Sequence, residues 1–362
     1  MHNPLLPRPT PDFDALVRIL AGEQTPRRVP LIELSIDGEV LQAIHARYRQ
    51  EPWVPLTDDT KAAYCKQIVT LYAQLGYDCA PVWGQWENNP EPPRICVADT
   101  AALSRGERAW VGGGRGLIPS WEAFERFPWG RLTPKVADYE LMAQYLPGGM
   151  RVVLVTTVFQ YVMEVLLGYE GLFTLLYDDP DLVAQVFEGW GGAVYDFYAA
   201  LIDADAVGAI FHADDLGFKT GPLMSPDAFQ RLVFPWLKKY ADLAHAHGKP
   251  FWLHSCGNLY TPPLIEDLIE TVAIDGLHSF QDVILPVADF KARYGDRVAT
   301  LGGVDMDRLA RLDEEALRAY VRGILDACMP GGRFALGSGN TVANYIPLEN
   351  YAIMLDESRR WP

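Results

Sequence analysis

The stretch Phe251-Trp-Leu-His-Ser-Cys-Gly-Asn258 is a short apolar run that ends on two side chains able to bind a metal ion. An apolar run of this length, stopped by Gly-Asn, predicts a buried strand that leads into a turn. Residues i and i+2 of a strand point to the same side, so the imidazole of His254 and the sulfur of Cys256 could reach one ion together. A nitrogen and a thiolate of this kind suit zinc.

Similar short runs recur along the chain, and longer amphipathic stretches separate them. The predicted strands are 29–34, 80–83, 152–157, 207–213, 251–254, 276–280, 299–304 and 334–337. The predicted helices are 12–21, 60–75, 138–145, 180–201, 225–247, 262–272, 287–294, 314–327 and 348–360. Eight strands that alternate with helices are typical of a (β/α)8 TIM barrel, which we predict here with an N-terminal helical arm. A doubly wound sheet is the alternative, but no glycine fingerprint follows the first predicted strand.

The segment from about 88 to 134 breaks this rhythm, because it is rich in Pro, Gly and Trp. We predict a single domain, 1–362, with this segment inserted after the second strand. Long insertions on the carboxyl side of a barrel often cover or shape the site. The tryptophans in and around it line an aromatic pocket or only pack the insertion onto the barrel: Trp83, Trp86, Trp110, Trp121 and Trp129.

The composition excludes some classes of partner. The chain has 362 residues and a formal net charge of −16, which argues against nucleic acid and anionic membranes, since phosphate binding needs a basic face. The apolar runs are too short to span a bilayer. The N-terminus lacks the charged-then-apolar pattern of a signal peptide, so we expect a cytoplasmic protein with reduced cysteines.

Polar side chains collect where the predicted strands end, which is where barrels place reactive groups. These candidates are Glu33, Gln85, Asp214, Asp215, His278, Gln281, Asp305, Ser338 and Asn340, and the aromatic Trp83 is a further candidate. We expect catalytic roles for Asp214, Asp215, His278 and Asp305, and substrate binding by the others. Each also has a structural alternative: the aspartates could cap turns, His278 could donate to a carbonyl, and Ser338 could be present because it is small. Several titratable groups at one mouth are costly unless paired or bound, which favours a site.

Several motifs in the second half of the chain resemble those of the uroporphyrinogen decarboxylase superfamily. They are His254-Ser-Cys-Gly-Asn258, Asp275-Gly-Leu-His278, Leu301-Gly-Gly-Val-Asp305, the stretch 331–340 and Pro347-Leu-Glu-Asn350, with Asp214-Asp215-Leu-Gly217 and Ser225-Pro226 before them. The resemblance covers about residues 12–361 and is strongest in the C-terminal half. It implies a (β/α)8 barrel, in agreement with the strand count.

The resemblance implies one of two chemistries. Decarboxylases of the superfamily carry an Arg-rich segment after the first strand, whereas this chain has Glu33-Leu-Ser-Ile-Asp-Gly38. They also carry a His where this chain has Ser338. Asp78 resembles their substrate-binding Asp and keeps uroporphyrinogen decarboxylation as an alternative function.

The other branch contains methylcobamide- or corrinoid-dependent methyltransferases, including O-demethylase components, whose zinc is held by a His-x-Cys pair and a further Cys. His254 and Cys256 match the pair, but no Cys lies in Leu336-Gly-Ser-Gly339. Further ligands would come from His278, Asp214 or Asp215. The resemblance favours a zinc-dependent methyltransferase that acts between a small molecule and a corrinoid protein or thiol. A non-catalytic small-molecule-binding barrel is the third alternative, and a homodimer remains open.

Overall fold

A computed structural model describes residues 3–49, 51–112 and 114–362. The main sheet of these residues has seven parallel strands. In chain order they are β1 Cys79–Trp83, β2 Arg151–Val155, β3 Val207–Ala213, β4 Phe251–His254, β5 Gly276–His278, β6 Ala299–Leu301 and β7 Phe334–Ala335. Each strand pairs with the next strand of the sheet along the chain. Parallel neighbours need long crossover connections, and helices supply them here, so the predicted barrel-like α/β fold is confirmed.

The predicted first strand, 29–34, does not form a regular strand. It makes a single parallel bridge, between Leu31 and Leu336 beside β7. The Ile32 N–H donates to the Leu336 carbonyl at 2.9 Å, and the Leu336 N–H donates to the Pro30 carbonyl at 2.8 Å. Pro30 has no N–H of its own, which limits the ladder that this segment can build. The segment still lies at the edge of the curled sheet, in the eighth position.

The helices cover the outer face of the sheet. The α-helices are Phe13–Leu20, Gly38–Ile44, Lys61–Leu75, Trp121–Arg126, Ala137–Ala143, Phe159–Tyr161, Tyr169–Asp178, Pro180–Leu201, Pro226–Leu232, Phe234–Ala246, Leu264–Asp267, Val287–Tyr294, Met306–Arg311, Glu314–Cys328 and Leu348–Arg360. The described residues also form π-helical turns at His45–Arg49, Val162–Leu166 and Leu268–Val272 and a 3₁₀ turn at Trp129–Arg131. The helix predicted over 225–247 is two helices, because Pro235 cannot donate an N–H and breaks the ladder.

The N-terminal helix closes the amino end of the barrel. Its cap, Asp12, accepts from the Ala15 N–H, which fixes where the helix begins. Phe13 packs on Trp252 of β4 with ring centroids 6.0 Å apart. The backbone of Gly208 in β3 approaches the Phe13 ring so closely that an added Cβ would stand 2.4 Å from it. The predicted helical arm is therefore part of the core, and the carboxyl end of the sheet is left for the site.

The insertion follows β1, and its described residues contain two antiparallel pairs and two helical pieces. Trp86–Glu87 pairs with Thr133–Pro134, and Arg94–Ala98 pairs with Glu107–Val111. A further short pair, Gly217–Phe218 with Gly221–Pro222, lies after β3. The tip of the insertion is tied to the loop after β7, because the Leu103 N–H donates to the Asn344 carbonyl at 3.1 Å. The insertion thus lies against loops at the carboxyl end.

The tryptophans of this region differ in burial. Trp86 is buried against Trp190 with ring centroids 4.7 Å apart, and Trp129 packs on Phe127 at 4.3 Å. Trp83, Trp110 and Trp121 are exposed. In the described parts of the chain, no helix has both the length and the apolar character that a bilayer crossing requires.

We predict that Phe13→Ala lowers the free energy of unfolding by about 3 kcal/mol, because it removes a buried ring and leaves a cavity under the barrel. Urea unfolding measures this change. Phe218→Ala is the matched control: Phe218 is 64% exposed, and its removal should change the free energy by less than about 0.5 kcal/mol. Equal small effects of both substitutions would show that the helix does not stabilise the barrel.

Candidate metal centre

Three potential ligands meet where β3 and β4 end: Asp215, His254 and Cys256. Their ligand atoms all lie within 4.8 Å of one another. His254 Nε2 is 3.4 Å from Asp215 Oδ1 and 3.7 Å from Cys256 Sγ. The Cys256 N–H donates to Asp215 Oδ1 at 2.9 Å, so the backbone after β4 also orients the carboxylate. The i, i+2 spacing of the pair therefore brings nitrogen and sulfur together as predicted.

Two neighbouring loops hold this group in place. The Asp214 N–H donates to the His254 carbonyl at 2.9 Å, and the Leu216 N–H donates to Ser255 Oγ at 3.0 Å. Gly257 has a φ of +94°, and a Cβ there would stand 2.2 Å from the backbone of Gly217. Only glycine fits this close approach, which explains the Gly-Asn turn that follows Cys256.

A chain of hydrogen bonds fixes which imidazole nitrogen of His254 faces the group. His278 Nε2 lies 3.1 Å from the Ser338 carbonyl, which can only accept, so that nitrogen carries a proton. His278 Nδ1 then accepts from His254 Nδ1, 2.7 Å away. His254 Nε2 is thereby directed at Asp215 and Cys256. In metal sites, too, a hydrogen bond from one ring nitrogen of a histidine orients the other nitrogen towards the metal.

The electrostatics of the two histidines differ sharply. Burial acts to lower the pKa of His254, but the charge of the Cys256 sulfur and the bond to Asp215 outweigh it and raise the pKa to about 10. Burial and the charge of His254 hold the pKa of His278 well below its usual range. His278 is thus a neutral support, and His254 Nε2 carries the proton that a metal ion would displace.

The sulfur of Cys256 has two further polar neighbours. Asn340 Nδ2 donates to Cys256 Sγ at 3.0 Å, and Ser279 Oγ lies 3.1 Å from it. Asn340 was among the predicted site residues, whereas Ser279 was missed. Ser279 directly follows His278 at the end of β5, and its contact depends on a backbone conformation that its sequence context does not signal.

The donor set fits zinc, because nitrogen, sulfur and carboxylate oxygen are its usual ligands, and three protein ligands leave a position open for a reacting group. Among the three candidates for the third ligand, only Asp215 joins His254 and Cys256 within 4.8 Å in the described parts of the chain. The two negative charges of a thiolate and a carboxylate together balance the charge of a divalent ion. Although burial acts to raise the pKa of Asp215, its bond to His254 and the charge of that ring hold the pKa below its usual range.

Asp214 points away from this group and supports the fold. Its carboxylate accepts from the backbone N–H groups of Val158 and Phe159, each at 3.0 Å, and of Gln160 at 2.9 Å. His212 Nε2 lies 2.7 Å from the same carboxylate. Asp214 is fully buried. It caps the helical turn after β2, which is the structural alternative noted for it above.

A polar cleft of about 820 Å³ lies beside Cys256 at the ends of β5, β6 and β7. Its lining includes Gln281, Asp282, Asp305, Arg308, Asn340 and Tyr345. The Asp305 carboxylate accepts from the N–H groups of Asp307 at 2.8 Å and Asp282 at 2.9 Å, so it caps a helix and fixes the cleft wall. Asn340 both lines this cleft and bonds Cys256, which joins the cleft to the candidate metal centre.

An aromatic cleft of about 580 Å³ lies at the ends of β1 and β2. Its lining includes Trp83, Gln85, Asn89, Thr157, Tyr161 and Trp190. Tyr161 stacks on Trp190 with centroids 4.0 Å apart and planes 15° apart. Trp83 is 42% exposed at the rim. Of the predicted substrate-binding residues, Trp83 and Gln85 thus lie in this cleft, and Gln281 and Asn340 lie in the polar one.

Glu33 and Ser338 form a buried pair behind the site. The Ser338 N–H donates to Glu33 Oε1 at 2.8 Å, and the two side-chain oxygens are 2.5 Å apart. Burial raises the pKa of Glu33 to about 8. A protonated Glu33 can donate to Ser338 Oγ, whose single proton then goes to the Asn340 carbonyl at 3.0 Å. The pair therefore orients the loop that carries Asn340.

Asp78 lies at the other end of the barrel, one residue before β1 begins. Its carboxylate pairs with Arg28 and accepts from the Asp12 N–H at 2.7 Å. Asp78 is thus remote from the mouth, and a ligand bound at His254 and Cys256 would not touch it. The sequence around Asp78 did not indicate at which end of the barrel its carboxylate lies.

Fold and site together define an α/β barrel with a candidate metal centre at the carboxyl ends of its strands. The family model of uroporphyrinogen decarboxylase (URO-D) matches residues 155–361, more than half of the chain. The chain belongs to the URO-D family, as its motifs indicated.

Two further proteins are similar to this chain. A uroporphyrinogen decarboxylase of Ralstonia nicotianae is 29% identical over 194 residues, which cover 51% of this chain and 49% of that protein. The match thus spans about half the length of that relative. The structure of a methyltransferase from Methanosarcina mazei superposes with a TM-score of 0.69 at 18% identity and covers 96% of this chain and 98% of that one. This similarity shows a shared fold.

We predict that Glu33 makes the protein less stable as the pH rises. Its carboxyl is protonated in the folded state up to about pH 8, whereas its ordinary value of 4.5 applies after unfolding. The folded state therefore holds an extra proton between these limits. The stabilisation is complete below pH 4.5 and is lost towards pH 8, with a slope of about 1.4 kcal/mol per pH unit at most.

Glu33→Gln removes this titration, so its free energy of unfolding should fall less steeply between pH 5 and 8. Urea unfolding across this range measures both slopes. Glu23→Gln, at an exposed glutamate, should keep the wild-type slope. Identical slopes for wild type and Glu33→Gln would contradict a protonated Glu33.

Proposed function

We propose that the protein is a zinc-dependent methyltransferase that moves a methyl group between a small molecule and a corrinoid protein or thiol. The observation that carries the proposal is the group Asp215, His254 and Cys256, whose ligand atoms lie within 4.8 Å at the mouth of the barrel. Its nitrogen, sulfur and oxygen donors match zinc, and three ligands leave one position for a reacting group. The fold shared with a methyltransferase from Methanosarcina mazei agrees with this proposal.

The substitution of Asp215 for a second thiolate keeps the charge of the site. His, Cys and Asp bring one neutral and two anionic donors, as His and two cysteines would. Carboxylate oxygen is a harder donor than sulfur. The chain therefore compensates the missing Cys near Ser338 with a ligand from a different strand, and the loss of that Cys does not remove the case for zinc.

A bound zinc ion supplies a Lewis acid that polarises a donor oxygen or lowers the pKa of an acceptor thiol. The protein residues do the rest. His278 holds the His254 ring in one orientation through its 2.7 Å bond. Asn340 donates to the Cys256 sulfur and also lines the polar cleft, so it places that cleft next to the ligands. Asp305 shapes the cleft wall through its backbone bonds.

The two clefts on either side of the centre are suited to a small molecule with unlike ends. The sheet order places β3 and β4, which carry the ligands, between the strands that end at the aromatic cleft and those that end at the polar cleft. Trp83 and Tyr161 offer flat apolar surface, and Gln281 and Asn340 offer hydrogen bonds. Most ligand sites combine apolar walls with a few polar groups in this way.

The rim of the mouth supports the proposal of a protein partner. Trp110, Phe218, Val283 and Tyr345 are 48%, 64%, 72% and 44% exposed. They lie in the four segments that connect β1, β3, β5 and β7 to the elements that follow. Exposed apolar side chains gathered around a site favour contact with another protein. A corrinoid protein that docks on this rim would bring its cobalt centre towards Cys256.

Uroporphyrinogen decarboxylation is the second candidate, favoured by the family model and by the Ralstonia relative. It requires residues that grip several carboxylates. The loop after residue 34 has no arginine, and Asp78 lies at the far end of the barrel. These two features weigh against it. A barrel that binds a small molecule without catalysis is the third candidate, and bound metal with an exchangeable ligand would weigh against that.

We predict about one zinc ion per chain in protein purified without a metal-affinity tag, because three ligands of the right kind converge. Cys256→Ser should lose the zinc, and Asp215→Asn should bind it about tenfold or more weakly. Elemental analysis gives the content. Cys96→Ser is the matched control, since Cys96 is an exposed cysteine of the insertion, and it should keep its zinc. An unchanged zinc content in Cys256→Ser would contradict the proposed site.

We predict loss of methyl from methylcobalamin to a thiol acceptor in the presence of the zinc protein, and no turnover of uroporphyrinogen III. The absorbance of methylcobalamin reports the first reaction, and the release of carbon dioxide reports the second. The methyl transfer should disappear in Cys256→Ser and persist in Cys96→Ser. Decarboxylation of uroporphyrinogen III would instead establish the second candidate.

A further inference from the structure

We propose that Ser279 is a positioning residue whose strained backbone aims its hydroxyl at the Cys256 sulfur and so sets the direction in which that sulfur can bind a metal. The inference deepens the proposed function and rests on it for the identity of the ion. Ser279 Oγ lies 3.1 Å from Cys256 Sγ, within reach of a hydrogen bond to sulfur.

The backbone of Ser279 has a φ of +92°. The backbone of an L-residue rarely adopts a φ in this region, and serine lacks the conformational freedom that glycine has there. Such conformations persist where the surrounding structure enforces them, and they gather at functional sites. The strain at Ser279 therefore needs an explanation, and its neighbours in the strand provide one.

The strand β5 delivers two consecutive side chains to the same site. His278 already points into it, because its Nδ1 is 2.7 Å from His254 Nδ1. In an extended strand the next side chain would point to the opposite face. The positive φ breaks this alternation and turns Ser279 back, so that one strand end supports both His254 and Cys256.

Ser279 and Asn340 together restrict the sulfur. Asn340 Nδ2 donates to the Cys256 sulfur at 3.0 Å, and the hydroxyl of the buried Ser279 can donate to it at 3.1 Å. A thiolate has three lone pairs, and two of them are then engaged. The remaining lone pair is left for a metal ion shared with His254 and Asp215. Ser279 thus acts through Cys256 and does not itself touch a substrate.

Variants at Ser279 distinguish a residue that positions the Cys256 sulfur from one that only forms a turn. Ser279→Gly removes the hydroxyl and the strain, whereas Ser279→Ala removes only the hydroxyl. Ala273 provides a matched control: its φ is +65°, and it precedes the amino end of β5, away from the site. Ala273→Gly should relieve strain and leave the sulfur untouched.

The experiment measures the zinc dissociation constant, by competition with a chromophoric chelator, and the thermal midpoint of the metal-free protein. Both Ser279 variants should bind zinc about 10-fold to 100-fold more weakly, the usual effect of losing a residue that supports a ligand. Ser279→Gly and Ala273→Gly should each raise the midpoint by about 2 °C. Zinc affinity of Ser279→Gly equal to that of wild type would overturn the proposal and leave Ser279 as a turn residue.

If the wild-type protein binds no zinc, the proposed function fails and the contact is tested on the sulfur itself. The rate of alkylation of Cys256 by iodoacetamide at fixed pH, followed by mass spectrometry of the Cys256 peptide, is the readout. It should change by roughly fivefold, the effect of one hydrogen bond, and in the same direction in both Ser279 variants. An unchanged rate in both variants would overturn the inference, and Ala273→Gly should match wild type.

Discussion

The site depends on the register with which β4 pairs with its two neighbours. His254 stands opposite Ala213 of β3 and opposite His278 of β5. This register brings the end of β3, with Asp215, and the end of β5, with Ser279, to the level of Cys256. A slip of one residue in either pairing would turn these side chains to the other face of the sheet. The packing beneath, with Trp252 opposite Phe211 and against Phe13, holds that register.

Burial determines the chemistry of the groups that the register assembles. His254, His278 and Glu33 are all nearly inaccessible to water, and each resolves the cost of burial differently. His278 stays neutral, Glu33 is protonated, and His254 keeps a charge because two anionic groups face it. Hydrogen bonds inside a dry site are strong but leave no tolerance for unpaired groups. The mouth of the barrel is therefore an ordered array, in which the state of one side chain sets that of the next.

Much of the fold could be predicted from local sequence. The alternation of short apolar runs with amphipathic stretches indicated a barrel, and seven of the eight strands are present. The proximity of His254 and Cys256 follows from the period of a strand. The choice between Asp214 and Asp215 could not be predicted, because it depends on how the turn after β3 packs against distant backbone. The contact of Ser279 with Cys256 could not be predicted for the same reason, because the orientation of Ser279 follows from a backbone φ that tertiary contacts impose. The position of Asp78 at the amino end of β1 could not be predicted, because a motif gives the order of residues along the chain and not their position along the barrel axis.

The closed amino end has a consequence for the order of events at the opposite end. Phe13 and its helix fill the base of the barrel, and His254 and Cys256 lie at the opposite end, at the mouth that the exposed rim surrounds. In the proposed function, a protein docked on that rim would cover the mouth. In the proposed function, a small molecule would therefore have to bind before that protein and leave after it, so methyl transfer would require an ordered sequence of binding and release.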